Sequence, residues 1–251
     1  MENKAVRLDK YLAHAGLGTR SEVKKIIRSG RVLLNGVLAE KAEEKVLDSS
    51  VVIVDGVEIS LETYEYFMLN KPTGVVSATQ DQTDRTVVDL ITCPHHKELF
   101  PVGRLDKDTE GLLLLTDNGA LAHQLLSPAK HVSKTYLVYA EGKLTKGDVM
   151  LLENGVDIGD ETLTRPAKAA NLSYYEILGQ EGKSVQTRLE LTITEGRYHQ
   201  IKRMFAKIGK PVQYLKRLSM GGLELDASLS PGEFRRLTEK EINSIVNRSA
   251  R

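Results

Sequence analysis

Apolar and polar residues alternate along this chain with two distinct periods. Near the start, Leu8, Tyr11 and Leu12 recur at helical spacing before Ala15-Gly16-Leu17-Gly18 interrupts them. Thr19-Arg20-Ser21-Glu22 fits a capping box, with Thr19 as the cap and Glu22 reaching back. Val23, Ile26 and Ile27 then form the apolar stripe of a second helix, which Gly30 stops. Val32-Leu33-Leu34, the turn Asn35-Gly36 and Val37-Leu38 predict a hairpin. Val51-Val52-Ile53-Val54, Asp55-Gly56 and Val57-Glu58-Ile59 predict another. Two helices and two hairpins make a unit of about sixty residues, near the lower size limit for independent folding.

Leu61-Glu62-Thr63 reads as a linker, so the expected organisation is a small domain over 1–60, a linker over 61–64 and a larger domain over 65–251. In the larger part, Tyr66-Phe67-Met68-Leu69 predicts a strand ended by Asn70-Lys71-Pro72-Thr73-Gly74, and Val75-Val76-Ser77-Ala78 predicts a short second one. Residues 79–84 are polar and predict a loop, and 86–91 a helical turn. Leu112-Leu113-Leu114-Leu115, bounded by Gly111 and by Thr116-Asp117-Asn118-Gly119, predicts a strand buried on both faces. A helix is expected over 120–126, a strand over 132–140, a short helix over 147–152, and strands over 167–178 and 185–194. Gly196-Arg197-Tyr198-His199-Gln200 opens a helical segment that runs to Ile208 and ends at Gly209. Short strands and turns follow, and Thr238-Glu239-Lys240-Glu241, another capping box, starts a terminal helix. Many strands without regular βαβ alternation place the chain in the α+β class, with a mixed and mainly antiparallel sheet.

Composition narrows the picture only slightly. With 251 residues and 41% apolar content the chain can bury a core, and its net charge of +1 points to no partner. A single cysteine, Cys93, excludes an internal disulfide framework and indicates a reducing, cytoplasmic setting. No stretch is long and apolar enough to span a bilayer, and no signal-peptide pattern opens the chain. No Gly-x-Gly-x-x-Gly or Walker pattern supports a nucleotide cofactor.

Charge distribution is more informative than net charge. Through Gly36 there are eight Lys or Arg against three acids. Arg20, Lys24 and Arg28 recur every four residues and share a helix face, with Arg7, Lys10 and Arg31 nearby. Such a face is either simply solvated or a phosphate-binding surface. A second basic segment, 196–219, holds Arg197, Lys202, Arg203, Lys207, Lys210, Lys216 and Arg217 and no acid. There Lys202-Arg203 precede Met204-Phe205, so a helix start could place one cation in a buried site.

The candidate chemistry lies at Gly103-Arg104-Leu105-Asp106-Lys107-Asp108-Thr109-Glu110-Gly111. A carboxylate at the mouth of a rigid core strand can be held still and partly desolvated, and Asp106 is the expected nucleophile. A polar turn with its acids in structural ion pairs is the plainer alternative. The acids at 106, 108 and 110 with Gly111 also approach a calcium-loop spacing, but Asp117 stands where a bidentate Glu belongs and Pro101 denies an entering helix. His95-His96 lacks a third ligand nearby, so no metal is expected.

The motifs carry a resemblance. Arg7-Leu8-Asp9-Lys10-Tyr11-Leu12, Thr19-Arg20-Ser21 and Gly30-Arg31-Val32-Leu33-Leu34-Asn35-Gly36 resemble the S4 RNA-binding domain. Gly103-Arg104-Leu105-Asp106 through Thr116 resembles the active-site motif of the pseudouridine synthases. Lys134-Thr135-Tyr136-Leu137-Val138 and Gly196 through Phe205 resemble two later motifs, and Leu69 through Gly74 the first. The whole chain is similar to the RsuA/RluB/E/F family, nearer its small-subunit branch. The resemblance implies isomerisation of uridine to pseudouridine in ribosomal RNA, most similar to enzymes of 16S rRNA, without cofactor or metal. A 23S rRNA enzyme of the same family, a non-catalytic S4-type assembly factor and a carboxylate-dependent glycosidase remain alternatives. It also implies Asp106 as the essential carboxylate, Tyr136 stacked on the uracil, and Lys202 paired with Asp106. Arg104 would help flip the base, Ile201 would wall the pocket and Arg203 would join the substrate contacts. Arg7, Lys10, Arg20, Lys24, Arg28, Arg31 and Arg197 would hold RNA, and a monomer is expected.

Overall fold

The computed structural model describes residues 5–47, 49–59, 64–92, 98–179 and 182–249. The chain divides into two compact units, Met1–Thr63 and Tyr64–Arg251. Residues 61–63 of the expected linker and the His95-His96 loop lie outside the described residues.

In the first unit, β1 (Val6–Arg7) leads into α1 (Leu8–His14) and α2 (Arg20–Arg28). The α2 start is the expected reciprocal box. The Glu22 carboxylate accepts from the Thr19 amide at 2.7 Å, and the Glu22 amide donates to Thr19 Oγ1 at 3.4 Å. β2 (Val32–Leu34) and β3 (Val37–Leu38) form one hairpin, and β5 (Val52–Val54) and β6 (Val57–Ile59) the other. The hairpins join through antiparallel β2–β5 pairing into a four-stranded sheet, while β4 (Lys45–Val46) pairs with β1. Leu8, Leu12, Val23, Ile27, Val32 and Val52 are buried together, so the apolar stripes of both helices meet one sheet face.

The second unit is a nine-stranded sheet with helices on both sides. Its strands are β7 (Tyr66–Lys71), β8 (Phe100–Pro101), β9 (Glu110–Thr116), β10 (Lys134–Glu141), β11 (Lys168–Gly179), β12 (Gly182–Ile193), β13 (Val212–Met220), β14 (Leu223–Glu224) and β15 (Phe234–Arg236). The order is β11-β12-β10-β13-β9-β7-β15, with β14 on β13 and β8 on β9. Every pairing is antiparallel except the β9–β13 seam, where Glu110 faces Lys216 and Gly111 faces Arg217. The helices are α3 (Gly119–Leu126), α4 (Lys146–Asn154), α5 (Gln200–Lys207) and α6 (Glu239–Ser249).

The leucine run behaves as its pattern predicts. Leu113 and Leu115 pack with Phe67, Leu69 and Met204 on one face, and Leu112 and Leu114 with Leu121, Leu125 and Ile245 on the other. A strand covered on both sides needs no alternation, which is why the run reads as unbroken.

Two expectations need correction. Residues 75–78 form no strand; Val76 makes an isolated bridge to Thr86, and the helical turn nearby is a 3-10 turn at Val88–Leu90. The region after Gly209 holds a long central strand, β13, of nine residues. Within that strand Arg217, one of the bases of the acid-free segment, is only 2% exposed.

The parallel seam depends on Gly111. Its φ is +101°, and a Cβ there would lie 2.2 Å from the Arg217 carbonyl oxygen and 2.7 Å from its nitrogen. Gly111→Ala is therefore expected to cost about 3 kcal/mol or more, from strain and overpacking together. Urea denaturation would measure it, and a loss under about 1 kcal/mol would contradict so close an approach.

Candidate active site

The loop between Gly103 and β9 is pinned from below before any chemistry is considered. Lys71, the last residue of β7, is fully buried. Its Nζ donates to the carbonyl oxygens of Pro72 at 3.0 Å, Lys107 at 3.2 Å and Thr109 at 2.9 Å. The Gly74 amide donates to the Lys107 carbonyl, and Ser77 Oγ binds both the Leu105 carbonyl and the Leu105 amide. At the outer side Lys107 Nζ meets Asp84 at 2.7 Å. These bonds fix the backbone on both sides of Asp106. Burial pulls the Lys71 ammonium down to about 8, against the opposing pull of Asp108, Asp106 and Glu110.

Asp106 projects from this loop into a cleft of about 570 Å³ lined by residues of β10, β12, β13, α5, the end of α3 and the loops that precede β9 and α5. The opposite wall is the start of α5. His199 caps that helix in the left-handed region, at φ +48°, and turns the chain so that Lys202 reaches back over the loop. Lys202 Nζ lies 3.1 Å from Asp106 Oδ2 and 2.5 Å from Asp108 Oδ1. Burial lowers the affinity of Lys202 for its proton, but the two carboxylates outweigh it and the net shift is upward. Burial raises the Asp108 carboxyl, and Lys202 more than reverses that, leaving it lowered. His199 Nε2 stands 3.5 Å from Asp106 Oδ1.

Several expected residues come together here. Asp106, Tyr136, Lys202, Arg104 and Ile201 all line the one cleft, with Tyr136 and Ile201 buried and Arg104 exposed. The calcium-like spacing resolves differently: Lys202 stands against Asp106 and Asp108, while Glu110 accepts from the Tyr214 hydroxyl at 2.8 Å. Among the described residues no group of three His, Cys, Asp or Glu is placed to hold a metal ion.

Other expected residues are occupied elsewhere. Arg203 does not line the cleft; its guanidinium binds the Ile158 and Tyr198 carbonyls and Asp160. Neighbouring residues on a helix diverge by about 100°, so only one of Lys202 and Arg203 can face Asp106. Arg197 borders the cleft, but it bonds to the Thr162 and Leu163 carbonyls and to Glu195. In the first unit Arg7 pairs with Asp9 and Glu43, and Arg31 with Asp55, whereas Lys10, Arg20, Lys24 and Arg28 form no ion pair among the described residues. Arg20 and Arg28 lie at the two ends of α2, exposed.

Sequence reasoning assigned no role to Lys71 or His199. Both sit inside motifs already singled out. A lysine ending an otherwise apolar strand signals Lys71; nothing local signals that His199 would face Asp106.

Residues 65–207 match the family model described as RNA pseudouridylate synthase, and residues 6–52 match the S4 domain. The chain is 49% identical to a Bacillus subtilis RNA pseudouridine synthase, YtzG, over 95% of this chain and 97% of that one. It is 40% identical to the Escherichia coli protein named ribosomal small subunit pseudouridine synthase A, over 96% and 100% of the two chains. A solved structure described as a pseudouridylate synthase matches with a TM-score of 0.64 and 36% identity, covering 96% of this chain and 99% of that one.

Lys71 makes a testable linkage. Folded, its amine loses the proton near about 8; unfolded, it keeps it to its ordinary value of 10.5. Between those values the unfolded state binds more protons, so stability from this group rises with pH. Denaturation at pH about 7.5 and about 9.5 should show wild type gaining roughly 2 kcal/mol relative to Lys71→Met. An unchanged difference would mean that the amine is not buried as described.

Proposed function

Given that this chain belongs to the RNA pseudouridylate synthase family, we propose that it isomerises a uridine of small-subunit (16S) ribosomal RNA. The chain is an isomerase that acts on RNA. In the reaction the bond from ribose C1′ to uracil N1 breaks, the base turns, and C5 bonds to C1′. C5 gives up a proton and N1 gains one, so no oxidant or reductant is consumed.

The observation that carries the reading is the meeting of Asp106, Lys202 and Tyr136 in one cleft. Asp106 is the carboxylate that acts on the nucleotide. Lys202 orients it and offsets the repulsion of Asp108. Tyr136 offers a buried aromatic face to a base that has left its stack, which offsets part of the unstacking cost. Ile201 walls the site, and Arg104, exposed at the cleft, would meet the vacated stack or a flanking phosphate.

RNA is brought to the cleft by a domain over 1–60, and the chemistry belongs to 65–251. The exposed bases Lys10, Arg20 and Arg28, with Lys24 on the same helix as the last two, support phosphate contact by the first. Arg7 and Arg31 contribute less, because acids already hold them. The small-subunit target rests on the 40% identity to the Escherichia coli enzyme. Asp106, Tyr136 and Lys202 meet within a single chain, so the proposed site is complete in a monomer. A single cysteine fits the reducing cytoplasm, where ribosomal RNA matures.

Asp106→Asn is expected to lower pseudouridine formation by roughly 10⁴-fold or more while RNA affinity stays near wild type. Pseudouridine mapping in cells with and without the gene checks the target. Loss of one site in 16S rRNA is expected; loss in 23S rRNA alone would reassign the substrate, and product formation by Asp106→Asn would remove the proposed carboxylate.

A further inference from the structure

The inner wall of the cleft carries two cations that the reaction as described leaves unused. Lys134 opens β10, and Arg217 lies directly across from Tyr136 in β13. Of the two irregularities in this pairing, the one beside Tyr136 places its extra residue, Leu218, in β13; the β10–β12 register runs unbroken from Lys134 to Glu141. Side chains two apart on a regular strand share a face, so Lys134 and Tyr136 point the same way. All three residues line the cleft.

Neither cation is neutralised. Among the described residues no ion pair involves Lys134 or Arg217. Lys134 Nζ donates to the Val132 carbonyl at 2.9 Å. Arg217 Nε donates to the Leu112 carbonyl at 2.6 Å, but its Nη2 is buried without a partner. Thr109 Oγ1, in the same lining, is also buried and unpartnered. A buried donor left without an acceptor costs about 1–3 kcal/mol, and two such groups in one cleft point to polar atoms supplied by a ligand. Burial and the neighbouring Arg217 pull the Lys134 amine down to about 8, as expected for a cation with no carboxylate beside it.

Resting on the reading of this cleft as a uridine isomerase site, we propose that Lys134 and Arg217 bind the carbonyl oxygens of the flipped uracil and so select uracil over cytosine. A base stacked on Tyr136 presents its edge to the side chains flanking that ring, and these are the two cations. The edge of uracil offers two acceptors, O2 and O4. Cytosine puts an amino donor at C4, which would face a cation and leave it unpaired. A backbone phosphate is the other possible acceptor; its charge would suit two unpaired cations, but the chain on either side of it holds it toward the open mouth, where Arg104 is exposed.

The test uses the full chain and small probes. Uridine, cytidine and inorganic phosphate would be titrated into wild type, Lys134→Met, Lys134→Arg and Asp106→Asn by protein-observed NMR. Single-turnover pseudouridine formation would be followed on transcribed 16S rRNA. Lys134 is the residue to change, because Arg217 also ties β13 to β9 through Leu112. Wild type and Asp106→Asn should prefer uridine to cytidine by at least about tenfold, as a site with buried polar partners does. Lys134→Met should erase most of that preference and slow the single turnover at least about tenfold, and Lys134→Arg should restore both in large part. Inorganic phosphate should not compete with uridine. The proposal is overturned if wild type shows no preference, if Lys134→Met keeps both preference and rate, or if phosphate displaces uridine. Should Asp106→Asn still make product, the isomerase assignment of Asp106 falls while base selection by Lys134 stands or falls by the titrations.

Discussion

A lysine amine held under the acidic loop by three main-chain carbonyls is the constraint on which the site depends. A buried ammonium is costly, and among the described residues no carboxylate pairs with it directly. What stabilises it is a set of carbonyl oxygens that must point inward, and two of those belong to Lys107 and Thr109. Satisfying one donor therefore dictates the path of the backbone around Asp106. The acid itself can then be presented from a loop without the looseness that loops usually bring. Ser77 repeats the device at Leu105 with a hydroxyl that donates and accepts.

The second constraint is the single parallel seam. β9 is flanked by β7 along one edge, and its other edge is shared between β13 at the start and β8 at the end. The seam puts Glu110 against Lys216 and Gly111 against Arg217, at the point where the loop becomes strand. The Tyr214 hydroxyl draws Glu110 toward β13, and burial together with that carboxylate holds the phenol well above its ordinary range, as a donor. Of the three acids of the motif, Glu110 is thus structural, and Lys202 is left to attend to Asp106 and Asp108.

Legibility in the sequence followed how local each cause was. Capping boxes at Thr19 and Thr238 were readable because both partners lie within four residues. A similar box at Thr145 and Asp148 sets the start of α4 one residue earlier than the apolar pattern implied. The leucine strand was readable because burial on both faces leaves a continuous run. β13 was not: Lys216 and Arg217 look like surface, and only the strands on either side of them make that position interior. Lys202 was preferred to its neighbour by motif rather than by physics, since the helix phase that turns Arg203 toward Ile158 and Asp160 depends on where His199 bends the chain. The basic residues of the first unit divide for the same reason. Arg31 and Asp55 are distant in sequence and meet only because the two hairpins pair.

The cleft draws its acid from residue 106 and its remaining walls from residues reaching to 217, joined by a seam between β9 and β13. Contacts so far apart in the chain form late and slowly. A ribosome translating this message would therefore extrude the S4-like segment, able to touch RNA, long before the aspartate had its lysine or its tyrosine had a wall behind it. Truncation between the end of the first unit and β13 would leave the S4-matching segment whole and the cleft without its inner wall.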